Sequence, residues 1–112
     1  MKIDTRIIDD VRILDCSGKI TLGEGTMVVR NRVRELVQAG VKKIILNLAD
    51  VQYIDSSGIG ELVSTYTTVT TNGGQLKLLN LTKKFNELLS ITKLLTVFDV
   101  YSNEGAALDS FV

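Results

Sequence analysis

The chain has 112 residues, which allows one small domain with a single hydrophobic core. Its 13 basic and 13 acidic residues give no net charge, so it lacks the basic surface expected of a protein that binds nucleic acid or a membrane surface. It contains no histidine and one cysteine, which excludes Ser-His and Cys-His nucleophile pairs and leaves only oxygen ligands for a metal. We therefore expect a domain that binds another protein and is not an enzyme, with no metal and no cofactor.

The N-terminus predicts a location. Residues 1–6 are charged where a signal peptide requires an apolar stretch. No apolar run approaches the roughly 18 residues of a membrane-spanning helix. We expect the protein in the cytoplasm, without a membrane partner.

The first two strands are predicted to pair as an antiparallel hairpin. Residues 2–8 and 11–17 have strand-like patterns and flank Asp9 and Asp10, which favour a turn. Cys16 lies in the apolar run 11–16, and cysteine is among the most buried residue types. We expect its thiol to be buried and inert.

A helix and a buried strand follow the hairpin. Apolar positions recur at spacings of three and four from Leu22 to Gly40, which predicts the first helix. Residues 43–48 form a near-continuous apolar run, as expected for a central strand covered on both faces. This alternation predicts an α/β fold, and the hairpin makes its sheet mixed.

The run from Tyr53 to Gly60 joins this strand to a second helix, predicted from about residue 57 to residue 72. Ser56 and Ser57 then lie at the helix N-terminus, where free N–H groups and the helix dipole favour a phosphate, bound or covalently attached. A serine in this position also suits ordinary capping of the helix. Spacing alone leaves both interpretations open.

The second helix is predicted to bury one face and to present an uncharged one. No charged residue occurs between Leu62 and Leu76, and helix propensity does not explain the threonines found there. They suit a partner surface, or they are a chance use of small polar residues. The predicted inward residues are Ile59, Leu62, Val63, Tyr66, Val69 and Thr70, and the outward ones are Ser64, Thr65, Thr67, Thr68 and Thr71.

The remaining elements are shorter. The turn Asn72-Gly73-Gly74 precedes a strand at residues 75–79, and a short helix is predicted at residues 83–89. A last strand at residues 96–101 and a closing helix at residues 103–111 complete the chain. With no proline, repeat or linker, the sequence predicts one domain over residues 1–112.

The strand, the run Asp55-Ser56-Ser57-Gly58-Ile59-Gly60 and the helix, followed by Asn72-Gly73-Gly74, resemble the STAS domain of bacterial anti-sigma factor antagonists. The early Gly18-Lys19-Ile20 and the run Ile45-Leu46-Asn47-Leu48 extend the resemblance over the whole chain. It implies a single mixed sheet flanked by about four helices, starting with an antiparallel hairpin.

The resemblance also implies a function. In that family the serine directly after the motif aspartate, here Ser56, is phosphorylated by a partner that is both a kinase and an anti-sigma factor. The unphosphorylated protein binds this partner and releases a sigma factor, and a phosphatase restores the hydroxyl. ATP and magnesium belong to the partner, and Asp55, Ser57, Gly58, Ile59 and Gly60 complete the expected binding site.

One position departs from the family pattern. Antagonists often have Gly-Glu-Leu-Asp after the second strand, whereas this chain has Gly18-Lys19-Ile20-Thr21. In the family that aspartate helps the kinase partner recognise or phosphorylate its substrate. Its replacement by Thr21 is therefore expected to change how efficiently Ser56 is phosphorylated. Thr21 also suits the N-cap of the first helix, and Glu24 is a candidate to supply the missing charge.

Two other hypotheses remain beside that of a binding protein controlled by phosphorylation of Ser56. A constitutive scaffold or assembly subunit, such as a stressosome-like or transport-complex STAS domain, would use the threonine-rich face without phosphate turnover. An enzyme would need a lysine base such as Lys19, and nothing in the sequence places a lysine beside the serines. We expect a monomer or a weak homodimer.

Overall fold

The computed structural model describes residues 1–111, which form one five-stranded sheet and four helices. Val112, the last residue of the predicted domain, lies outside the described residues. The elements in chain order are β1 (Lys2–Ile8), β2 (Val11–Ile20), α1 (Glu24–Gln38), β3 (Lys43–Ile54), α2 (Ser56–Thr71), β4 (Gln75–Leu79), α3 (Lys83–Ile91), β5 (Asp99–Tyr101) and α4 (Glu104–Asp109).

The sheet is mixed, as predicted. Its strands lie side by side in the order β1-β2-β3-β4-β5. β1 and β2 are antiparallel around the turn at Asp9 and Asp10, whereas β2 with β3, β3 with β4 and β4 with β5 are parallel. The predicted N-terminal hairpin and the α/β class are both confirmed.

Helices cover the two faces of the sheet unequally. The large core lies between one face and α1, α2 and α3, and a smaller cluster lies between the other face and α4. Ile44, Ile45 and Leu46 are fully buried because successive side chains of β3 point into the two clusters in turn. This confirms the prediction of a central strand covered on both faces.

Two strands continue further than predicted. β2 reaches Ile20 instead of residue 17. Its pairing with β3 continues past Gly18 because the register shifts between Asp15 and Ser17 and again between Gly18 and Lys19. β3 reaches Ile54 instead of residue 48, although it pairs with β4 only as far as Asn47. The second half of β3 pairs with β2 alone, which explains why polar residues interrupt its apolar pattern.

Three other predicted boundaries were too wide. α1 begins at Glu24 and not at Leu22. β5 begins at Asp99 and not at residue 96, since the preceding residues form hydrogen-bonded turns in which Val97 N–H donates to Leu94. α4 spans only Glu104–Asp109 instead of residues 103–111, because Asn103 is its N-cap.

The buried side of α2 is rotated from the predicted one. Ile59, Leu62 and Val69 are buried, as predicted, but Thr65 is only 4% exposed and Thr70 is exposed, so both of these predictions were wrong. α1 packs beside α2, and α2 must therefore bury residues against a helix as well as against the sheet. The hydroxyls of the exposed threonines donate to carbonyls one turn back: Thr67 to Val63, Thr70 to Tyr66 and Thr71 to Thr67, at 3.0, 2.9 and 2.7 Å.

Cys16 is 2% exposed, which confirms that it is a core residue. Burial raises the pKa of its thiol to about 12, and the negative charge of Asp15 acts in the same direction. The thiolate, which is the reactive form of cysteine, is therefore disfavoured at neutral pH.

A partly buried ion pair joins α1 to α2, and its removal should destabilise the fold. The Glu61 carboxylate is only 3% exposed and accepts from Arg30 Nε at 2.7 Å. Arg30→Ala leaves that carboxylate buried without its cation, and since Arg30 itself is half-exposed we expect a loss of about 2 kcal/mol in the free energy of unfolding. Urea denaturation measures this loss, and adding Glu61→Gln should recover part of it. An Arg30→Ala protein as stable as the wild type would contradict the prediction.

Candidate functional site

Three segments meet at the carboxyl ends of β2 and β3. Asp55 lies between them, since its backbone N–H donates to the Ile20 carbonyl at 3.4 Å and its Oδ2 accepts from the Leu22 N–H at 3.3 Å. Its Oδ1 accepts from the Gly58 N–H at 2.9 Å. One carboxylate therefore fastens the loop after β2, which contains Thr21, to the start of α2, which contains Ser56.

Asp55 is the N-cap of α2, and neither serine has that role. Its backbone is extended, with φ −104° and ψ −175°, and its side chain satisfies the third N–H of the helix. Ser56 is the first helical residue and is exposed, and Ser57 follows half-buried. Among the described residues, neither serine side chain makes a hydrogen bond, so the capping interpretation of these two residues was wrong and the Ser56 hydroxyl is accessible at the helix N-terminus.

Gly58 is required by the fold itself. A Cβ at this position would lie 2.2 Å from the Ile20 carbonyl oxygen and 2.5 Å from Ile54 Cγ1. Gly25 in α1 is in the same situation, since a Cβ there would lie 2.3 Å from the Lys19 carbonyl oxygen. Both helices therefore start directly against the last residues of β2, and room for a partner does not explain Gly58.

Gly60 differs from Gly58. It is exposed, and a Cβ built on it meets no atom within 4 Å. Nothing in the fold requires a glycine there, so partner approach remains the interpretation for Gly60. Ile59 between them is 9% exposed and belongs to the core, with one edge in the groove described below.

Thr21 lies in the loop that Asp55 fastens to the start of α2, but it does not cap α1. The N-cap position of α1 is Gly23, which has no capping side chain, and Thr21 instead accepts the Thr26 N–H at its carbonyl at 3.1 Å. Glu24, the candidate source of a missing charge, is 82% exposed, and its Oε1 is 3.9 Å from the N-terminal ammonium group.

Exposed apolar side chains occur on the segments that flank the serine loop and on α1. Leu22 is 79% exposed, Met27 on α1 is 53% exposed, and Tyr53 just before the loop is 43% exposed. The sequence pattern assigned Leu22 to the first helix. In the structure Leu22 instead precedes Gly23, the N-cap of α1, whose φ of 98° favours glycine.

An apolar groove of about 370 Å³ lies between the start of α2 and α3. The ammonium group of Lys84 lies 5.0 Å from the centre of the Tyr53 ring in this groove, within the range of a cation–π contact. Ile91, at the end of α3, is 78% exposed. The residues lining the groove are Tyr53, Ile54, Asp55, Ser56, Ile59, Lys84, Leu88 and Thr92.

The geometry suits an accessible hydroxyl that an external enzyme modifies. Ser56 is exposed at the N-terminus of a 16-residue helix, where the dipole stabilises added negative charge by about 0.3–1 kcal/mol. Over residues 1–111, no three His, Cys, Asp or Glu side chains cluster as metal ligands. Over the same residues, no helix combines the length and apolar character needed to span a membrane.

Comparison with known proteins gives one family. The family model of the STAS domain matches residues 2–107. The anti-sigma-B factor antagonist of Bacillus subtilis (strain 168) is 38% identical over 73 residues, which are 65% of this chain and 66% of that protein.

Solved structures share the fold. The crystal structure of a candidate anti-sigma factor antagonist from Thermotoga maritima is 29% identical, with a TM-score of 0.88 over 96% of this chain and 92% of that one. The Bacillus cell fate determinant SpoIIAA in its phosphorylated form is 17% identical, with a TM-score of 0.75 over 96% of this chain and 97% of that one. The second likeness shows the fold alone.

Proposed function

The chain belongs to the STAS domain family, and we propose that it is an anti-sigma factor antagonist whose binding is switched off by phosphorylation of Ser56. Its relative in Bacillus subtilis is named an anti-sigma-B factor antagonist, and a protein of the same fold has been solved in a phosphorylated form. The observation that carries the proposal is the exposed Ser56 hydroxyl at the start of α2, beside exposed apolar residues.

The partner binds the surface formed by Leu22, Tyr53, Ser56 and the groove towards α3. Large apolar side chains that are 79% and 43% exposed beside one polar loop are typical of a protein-binding site. Gly60 lies one helical turn after Ser56, on the same face of α2, and leaves room for a partner backbone. Thr21 contributes to this surface in place of the family's aspartate.

Phosphorylation of Ser56 acts through local charge. A phosphate adds about −1.5 to −2 charges at pH 7, next to the carboxylate of Asp55. The folded domain tolerates this charge because it lies at a helix N-terminus. A partner that covers the loop must desolvate it, which costs several kcal/mol, and no rearrangement of the domain is needed.

The catalysis belongs to the partners. A kinase that is also an anti-sigma factor binds ATP and magnesium and transfers the phosphoryl group, and a separate phosphatase removes it. This protein is a substrate and a binding module in that cycle, not an enzyme. The cycle regulates transcription, so we place the protein in the cytoplasm.

Mass spectrometry tests the modification. The cognate kinase is recovered from the host by pull-down. The protein is then incubated with this kinase, ATP and magnesium. We expect a gain of about 80 Da on the peptide that contains Ser56, the mass of one phosphoryl group. Ser57→Ala should still gain this mass, and Ser56→Ala should not.

A different result would favour the constitutive scaffold. If Ser56 never gains the phosphoryl mass, either in the reaction or in protein purified from its host, the switch is wrong. Modification of Ser57 alone would move the site by one residue and contradict the assignment of Ser56.

A further inference from the structure

β1 is an edge strand whose outer backbone groups can be identified. The two-residue turn at Asp9 and Asp10 makes Ile8 and Val11 a hydrogen-bonded pair in the β1–β2 register. Because the pattern alternates, the N–H and C=O groups of Ile3, Thr5 and Ile7 point away from β2. Arg32 Nη1 confirms this direction, since it donates to the Ile3 carbonyl at 3.3 Å.

The sequence of β1 complements itself in the antiparallel direction. When Thr5 is placed opposite Thr5 of a second copy, Ile3 lies opposite Ile7 and Asp4 lies opposite Arg6. In this register Ile3, Thr5 and Ile7, whose backbone N–H and C=O groups point away from β2, form the hydrogen-bonded pairs between the two copies. The Asp4–Arg6 pairs are then the non-hydrogen-bonded ones, in which side chains approach more closely and opposite charges attract. Arg6 uses Nε and Nη2 to bind Asp15 and Glu104 within its own copy, so Nη1 is the group that can bind Asp4 of the second copy.

The exposure of Ile7 fits this register. Its side chain is 66% exposed at the open edge, on the side of the sheet that α1 covers. In the paired arrangement it contacts Ile3 of the second copy on that same side. The one large apolar residue of β1 that the fold leaves in water is therefore the one that the second copy covers.

We propose that the protein forms a two-fold symmetric homodimer by antiparallel pairing of β1 with β1 of a second copy. The interface is isologous, since the same strand supplies both halves. Association is weak and reversible, because the Ile7 N–H of the second copy must replace Arg32 at the Ile3 carbonyl. No residue of β1 belongs to the surface around Ser56, so this proposal stands independently of the proposed function.

Sedimentation velocity over a wide concentration range tests the dimer, with Thr5→Pro as the main variant. The Thr5 N–H points away from β2, so proline at this edge position removes no backbone hydrogen bond within the monomer, only the bond of the Thr5 hydroxyl with Arg32. It removes both backbone bonds across the two-fold axis. We expect the dimer dissociation constant to rise at least tenfold. Thr5→Val is the matched control: it loses the same hydroxyl bond to Arg32 but keeps the N–H, and it should dimerise like the wild type.

A charge reversal tests the register. Asp4→Lys places a cation opposite Arg6 of the second copy and should also weaken the dimer at least tenfold. Within the monomer, Asp4 loses only an exposed contact with Lys2, at 3.7 Å. Circular dichroism verifies that each variant is folded. A wild-type protein that stays monomeric at every concentration, or a dimer that both Thr5→Pro and Asp4→Lys leave intact, overturns the proposal.

Discussion

Ser56→Asp is expected to weaken binding to the kinase-like anti-sigma factor about a hundredfold or more, whereas Ser56→Ala binds like the wild type. The aspartate places a permanent charge on the surface that we propose the partner covers, formed by Leu22, Tyr53 and the groove. Desolvating an unpaired charge costs several kcal/mol, and about 1.4 kcal/mol is a factor of ten in affinity. Isothermal titration of the purified variants against the partner measures both values.

The control for this experiment adds the same charge elsewhere. Ser102→Asp changes an exposed serine that follows β5 and lies outside the Ser56 surface, and it should leave the affinity unchanged. Equal affinities of Ser56→Asp and Ser56→Ala would refute the electrostatic switch. Equal loss in Ser56→Asp and Ser102→Asp would attribute the effect to total charge and not to the loop.

Gly58→Ala is expected to lower the free energy of unfolding by about 3 kcal/mol. The new methyl group would lie 2.2 Å from the Ile20 carbonyl oxygen, which belongs to the backbone of a paired strand and cannot rotate away. Overpacking of this kind typically costs about 1–3 kcal/mol, and a backbone contact places the change at the upper end. Domains are stable by only about 5–15 kcal/mol, so chemical denaturation resolves the loss readily.

Gly60→Ala is the matched control, two residues further along the same helix. Its methyl group meets nothing within 4 Å, and alanine is the better helix former, so we expect a gain of about 0.5–1 kcal/mol. If the two substitutions have the same effect on stability, the close contact between Gly58 and β2 is not the reason for the first glycine. If Gly60→Ala is more stable but binds the partner less well, the interpretation of Gly60 as room for a partner is supported.

Apolar spacing and turn residues were sufficient to predict the order of the elements. The hairpin around Asp9 and Asp10 and the buried strand at residues 44–46 are local patterns, and local patterns are visible in one sequence. The inclusion of Thr21 in one site with Ser56 came from the family resemblance, because no local pattern shows which two loops meet at the edge of a sheet.

Other features depend on contacts that spacing does not encode. Thr65 is buried because α1 lies beside α2, and the second half of β3 is a strand because β2 continues past Gly18 to pair with it. Aspartate and serine are equally good caps in isolation, so only the geometry shows that Asp55 has this role. Lys84 lines the groove but belongs to α3, nearly thirty residues after Ser56 in the sequence. No sequence motif indicates that it lies there.

The close contacts of Gly25 and Gly58 with the end of β2 also have a kinetic consequence. They hold in place both loops of the surface proposed to bind the partner, so association there does not require a segment to become ordered. Rigid surfaces dock with rate constants of about 10⁵–10⁷ M⁻¹s⁻¹, and related complexes differ mainly in their dissociation rates. The lifetime of the complex, and not the speed of its formation, would then set how long a sigma factor stays free.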